Sequence, residues 1–137
     1  MSVAPLASYI SALALLVTPQ LFAQSHGTFT AQVSIVNLVA NPKNFEGKYI
    51  QISGVAYFDS KSAINAICLS RDDKRAANGT NCIFLYFGPS IKDMDRLNDK
   101  YVFAQGVFRG YDHGHLGSFA GSLDKVDRVE AIRWLIK

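Results

Sequence analysis

Residues 48–55 (Lys-Tyr-Ile-Gln-Ile-Ser-Gly-Val) and residues 100–107 (Lys-Tyr-Val-Phe-Ala-Gln-Gly-Val) align without a gap. Both are rich in β-branched and aromatic side chains, and both read as stretches of long strands with a glycine, Gly54 or Gly106, in mid-course. A single repetition is too little for a duplicated domain. It says instead that two strands meet the same geometric demand. A glycine inside a strand permits a bulge or sharp coiling, so that one strand can serve two sides of a small closed barrel. That demand restricts the fold more than any other feature of the chain.

The remaining segments fit such a barrel. Residues 33–40 place Ile35, Val36, Leu38 and Val39 on a helical stripe that must stop at Asn41-Pro42. A turn over 44–47 leads into the first strand, 48–58. Residues 62–69 and 82–87 read as the second and third strands, separated by a polar stretch containing Asn78-Gly79. Gly88-Pro89 ends the third, and Ser90 is placed to cap a short helix over 91–98, with Asp93 in its first turn. Residues 100–109 form the fourth strand, 110–117 a glycine-rich loop, and 118–126 the fifth strand. The tail, 130–137, fits a strand or a helix by periodicity. The expected fold class is all-β with minor α: a five-stranded Greek-key barrel, an N-terminal helix, and a short helix between strands three and four.

This order of elements, with glycines in the first and fourth strands, resembles the OB-fold over about residues 45–129. More narrowly, the chain looks like small exported bacterial OB-like proteins of uncertain function. Asn41-Pro42-x-x-Phe45-x-Gly47-Lys48, Leu97-Asn98-x-Lys100-Tyr101-Val102 and His113-Gly114-His115-x-Gly117 carry that likeness. The resemblance implies a binding surface on strands two and three, flanked by loops at about 59–62 and 110–117. It implies no particular ligand, because the fold hosts oligonucleotide, oligosaccharide and protein partners alike.

The first 23 residues contain no Lys, Arg, Asp or Glu. An apolar run over 10–17, the breaker Pro19 and the small Ala23 before a polar start are the parts of a secretory signal peptide, with cleavage expected after Ala23. The run is too short for a comfortable membrane helix of ~20 residues. The expected domains are therefore a signal peptide over 1–23 and one OB-like barrel over 24–137, periplasmic or secreted, with no membrane span after cleavage. In an exported chain, the even cysteine count favours a disulfide between Cys68 and Cys82, stapling a long-looped hairpin across its base. A redox pair or zinc site at these cysteines is disfavoured, since there is no C-x-x-C and no further pair at ligand spacing.

The net charge of +3 is scattered and interleaved with Asp, as in Arg71-Asp72-Asp73-Lys74-Arg75, rather than gathered into the basic stripe of a nucleic-acid binder. No nucleophile elbow, H-E-x-x-H or phosphate-cradling glycine loop occurs, so no catalytic residues and no cofactor are assigned. The cluster that invites a chemical reading is Tyr111-Asp112-His113-Gly114-His115. Histidines two apart share a side in extended chain and begin a metal site, but two ligands do not complete one; the same residues also read as a glycine-rich turn. Tyr57, Tyr86, Arg109 and Tyr111 supply ring and cation for stacking on a base or a sugar, while most aromatics on strands belong to the core. The expected contact surface comprises Tyr57, Asp59, Tyr86, Arg109, Tyr111, Asp112, His113 and His115. The leading expectation is a binding module for a protein partner in the cell envelope. Metal binding through His113 and His115, and oligonucleotide or saccharide binding, are the alternatives.

Overall fold

The computed structural model describes residues 2–4 and 30–133, so apart from residues 2–4 the leader and its cleavage point lie outside the described residues. Six strands are described: β1 (Ala31–Gln32), β2 (Tyr49–Asp59), β3 (Ile64–Cys68), β4 (Cys82–Phe87), β5 (Tyr101–Arg109) and β6 (Gly121–Ala131). The sheet runs β1-β2-β3-β4-β6-β5, and β5 returns to β2, closing a five-stranded barrel with β1 as an added parallel edge. All barrel pairings are antiparallel except β4 with β6. This is the OB-like barrel expected from the sequence, with two short α-helices: α1 (Ile35–Ala40) and α2 (Arg71–Arg75).

The two similar segments are each other's neighbours. Tyr49 lies opposite Val107 and Val55 opposite Tyr101, so the segments pair antiparallel about a local two-fold. At Val55, β2 exchanges one neighbour for another: residues 49–55 face β5, and residues 55–59 face β3. A Cβ on Gly54 would stand 2.4 Å from the Cys68 carbonyl oxygen and 2.7 Å from Ile67 Cγ2. The crossing of β3 over β2 therefore needs a residue without a side chain there. On Gly106, a Cβ would approach the Asp124 oxygen to 2.8 Å. Opposite it, the β5–β6 register shifts between Gln105 and Val107, and Lys125 adopts a left-handed φ of 51°. The bulge turns β6 so that it can serve both β4 and β5.

Alternation along each strand sends Ile50, Ile52, Ile67, Ile83, Val102 and Leu123 into one closed core. Helix α1 plugs one end with Ile35 and Leu38, each 1% exposed; Ser34 Oγ caps it by accepting the Asn37 N–H at 3.2 Å. Between β4 and β5 the expected helix over 91–98 is absent. Asp93 takes a left-handed φ of 56°, which interrupts α geometry, and a single 3₁₀ turn, Met94–Leu97, remains. Leu97 still plugs the core, and Asn98 Oδ1 accepts the Phe58 N–H at 3.0 Å. The fifth barrel strand starts later and runs further than expected, Gly121–Ala131. Residues 118–120 stay in the preceding loop because the Phe119 N–H donates to the His113 carbonyl and the Ala120 N–H to that of Cys82. The first residues of the tail are thus strand, paired with Val102 and Phe103.

Cys68 and Cys82 face each other across β3 and β4 and are joined in a disulfide, with Cα atoms 4.0 Å apart. Two tests follow. Gly54→Ala is expected to lower stability by ~2–3 kcal/mol in urea unfolding, since backbone rather than a flexible side chain obstructs the new methyl; an unchanged midpoint would remove the glycine from its role in closure. Replacing both cysteines by alanine is expected to cost about 3 kcal/mol, the loop entropy of a closure this long. A loss below about 1 kcal/mol would show that strand pairing alone holds the hairpin.

Candidate functional site

The outer face of β3 and β4 does not open directly to solvent. Ala66, Cys68, Cys82, Phe84 and Phe119 form a second buried cluster outside the barrel, joined by Tyr57 and Ile64. Strand alternation supplies the side chains from β2, β3 and β4, whose even- or odd-numbered partners already fill the core. Two excursions cover them. One is the stretch from Ser70 to Asn81, which carries α2; the other is the 110–120 loop between β5 and β6. They meet backbone to backbone where a Cβ on Gly79 would stand 2.2 Å from the Ser118 oxygen, and the second lies down on β4, where a Cβ on Gly114 would stand 2.5 Å from the Phe84 side chain.

A cavity of about 170 Å³ remains between the two excursions, lined by Tyr57, Ile64, Cys82, His115, Leu116 and Phe119, with Ala77, Gly79 and Ser118 at its margin. Ala77 and Leu116 both hold left-handed φ angles, 51° and 57°, a conformation that costs a residue with a Cβ ~1–2 kcal/mol. Leu116 is 86% exposed beside this apolar opening, and Tyr111 is 65% exposed nearby in the same loop. The rings beneath are ordered by contact, Phe84 meeting Phe119 at 5.1 Å and Tyr86 edge-on at 5.0 Å between centroids.

The structure brings only some of the expected contact residues to this cavity; Asp59 and Arg109 are not in its lining and are engaged in partnerships of their own. Tyr57 and His115 line the cavity. The Tyr86 hydroxyl donates to Asp112 Oδ1 at 3.2 Å, and the same oxygen accepts the Gly114 N–H at 3.0 Å, so the pair fixes the base of the loop. Burial, with the Asp112 charge and hydrogen bond behind it, pushes the Tyr86 phenol up. His113 Nδ1 lies 2.8 Å from the Phe119 carbonyl oxygen and pins the far side of the loop. Asp59 caps its own turn, accepting from the Lys61 and Ser62 N–H groups and the Ser62 hydroxyl. Arg109 faces Glu46 at 3.8 Å, and Glu46 also accepts the Gly110 N–H at 2.6 Å. Among the described residues, no group of three or more His, Cys, Asp or Glu is gathered as a metal would need. Leu116, Phe119, Ile64 and Ala77 were not anticipated. Leu116 did carry a signal, as the one large aliphatic side chain in a glycine- and histidine-rich loop.

The Ser70–Asn81 excursion is held by one carboxylate. Asp73 accepts from Ser70 Oγ at 2.6 Å, Asn81 Nδ2 at 2.8 Å and Asn78 Nδ2 at 3.1 Å, while its own N–H donates to Ser70 Oγ at 3.0 Å. The Ser70 hydroxyl foremost, then Asn81 and Asn78, hold this carboxyl below its ordinary value. Lys74 ties the same turn to Asn98 and Asp99 and lies 5.3 Å above the Tyr57 ring. A carboxyl depressed by folding stabilises above its unfolded pKa, and that contribution is lost as pH falls through the folded value. Acidification through the carboxylate range is therefore expected to lower the amide protection factors, taken relative to the intrinsic rate at each pH, over residues 70–81 before those of the barrel strands, and Asp73→Ala to lower them already at neutral pH. Equal protection of the excursion on both sides of the carboxylate range would refute an ionic anchor. No family model, curated protein or solved structure matches this chain.

Proposed function

We propose that this protein is an exported, non-enzymatic binding module that receives one apolar side chain of a protein partner in the cell envelope. The barrel and its disulfide are compatible with that role, and no helix among the described residues is long and apolar enough to cross a membrane. The observation that carries the reading is the small cavity beside Leu116. At about 170 Å³ it falls below the ~300–1,000 Å³ usual for small-molecule sites. It suits one anchoring side chain of the kind that dominates a protein interface. Its lining holds no Lys, Arg, Asp or Glu to recognise a phosphate or a sugar acid. The strained, solvent-facing Leu116 supports the same reading, because backbone strain of this sort collects at functional positions.

Photocrosslinking tests it in the host cell. A benzophenone side chain at position 116 of the full chain is expected to yield a discrete protein adduct, and one at exposed Val36 of α1 to yield none. Adding Ile64→Asp should lower the position-116 yield at least tenfold, as loss of an anchor worth ~2 kcal/mol predicts. No adduct at position 116, or equal adducts at both positions, would overturn the reading.

A further inference from the structure

We infer that Asn78-Gly79 is a guarded site of self-modification: Asn78 converts to aspartate or isoaspartate when the Ser70–Asn81 excursion opens, and the product keeps the excursion from closing again. The inference does not depend on what the apolar cavity receives. Asn78 is the one asparagine of the chain followed by glycine. A glycine there leaves the next amide nitrogen unshielded by a side chain and free to approach from many directions. The Gly79 nitrogen, yielding its proton to hydroxide, attacks Asn78 Cγ. The new C–N bond closes a five-membered imide, and the side-chain nitrogen leaves with a proton from water as ammonia. Water then opens the imide, so that overall one water enters and one ammonia departs. Opening at one carbonyl gives aspartate; opening at the other gives isoaspartate, whose main chain runs through Cβ and Cγ.

In the closed excursion the groups this reaction needs are held apart. Asn78 has a ψ of 77°, which turns the Gly79 nitrogen nearly opposite Cβ across the Cα–C bond, so ring closure needs a large rotation. The Gly79 N–H donates to the Ala77 carbonyl at 3.0 Å. The Asn78 side chain is fixed at both ends, Nδ2 donating to Asp73 Oδ1 at 3.1 Å and Oδ1 accepting the Thr80 hydroxyl at 2.6 Å. Its backbone N–H donates to the Asp73 carbonyl at 2.9 Å. Asp73 thus holds residue 78 by main chain and side chain together. Ring closure has to break these bonds, so its rate follows the fraction of molecules in which the excursion stands open.

The product does not fit back. Either acid replaces the amide donor, 3.1 Å from Asp73 Oδ1, by a second carboxylate, and two like charges there oppose closure. Isoaspartate also lengthens the main chain by one carbon just before Gly79. At that point there is no room, since a Cβ on Gly79 would already stand 2.2 Å from the Ser118 oxygen. Ala77 and Gly79 border the apolar cavity, so the conversion loosens that margin in one direction only.

Peptide mapping by mass spectrometry, on the full protein kept in mildly alkaline buffer, tests the inference. Conversion at position 78 is expected to run at least about tenfold slower in the folded protein than in the same chain reduced and held in guanidinium chloride. Asp73→Ala should speed it about tenfold in the folded protein. Ser70→Ala, which removes the Asp73 cap without touching the reacting groups, should speed it about fivefold, with amide protection of the barrel strands unchanged. Converted protein, and Asn78→Asp, should lose amide protection over residues 70–81 while 49–59 and 101–109 keep theirs. Equal rates in folded and denatured chains, or rates unmoved by both substitutions, would overturn the guarding of the site. Full protection over 70–81 in converted protein would overturn its effect on closure.

Discussion

The seam between β2 and β5 is the contact on which the rest of the molecule depends. Without it the sheet would be an open ribbon with two unpaired edges; with it, the backbone groups of 49–55 and 101–107 satisfy one another and the barrel closes. Closure around only five strands forces tight coiling. That coiling brings the Cys68 carbonyl and the Asp124 oxygen to where side chains of residues 54 and 106 would otherwise stand. The two glycines are thus the price of a small circumference, and their similar surroundings follow from the local two-fold that relates the paired segments.

Closure also decides what the outside of the barrel is for. One set of alternate side chains is consumed by the core, so every functional group must come from the other set or from a loop. On β3 and β4 that second set is apolar, and the disulfide and two loops bury most of it, leaving one small opening. On β2, β5 and β6 it is polar and half-exposed, with Tyr49 hydrogen-bonded to Asp127 at 2.6 Å and Gln105 to Gln51. A single barrel in this way presents an apolar wall on one side and a polar, amide-bearing wall on the other.

The candidate sites were legible unevenly. Tyr57 and His115 were anticipated and line the apolar cavity, whereas Tyr86, Asp112 and His113 shape its loop through hydrogen bonds. Arg109 and Asp59 are held by Glu46 and by the turn at Ser62, partnerships no local pattern announces. The missing helix at 91–98 has a similar cause. Its composition permits a helix, but a left-handed Asp93 leaves one turn, and Leu97 reaches the core all the same.

The sequence by itself determined the five barrel strands in outline, the two glycine-dependent coils, the helix at 33–40 and the pairing of the cysteines across a hairpin. All of these rest on short-range chemistry: alternation, φ freedom, an apolar helical stripe ended by Asn-Pro, and two thiols flanking one polar loop. Tertiary structure alone decided which side chains share a pocket, the short β1 edge, where the last strand begins and ends, and where non-glycine residues such as Ala77 and Leu116 are driven into left-handed conformations. Those outcomes depend on register and on contacts between segments distant in the chain, here the Gly79 loop against Ser118 and the Gly114 loop against Phe84 of β4. Such contacts exist only after the barrel has closed.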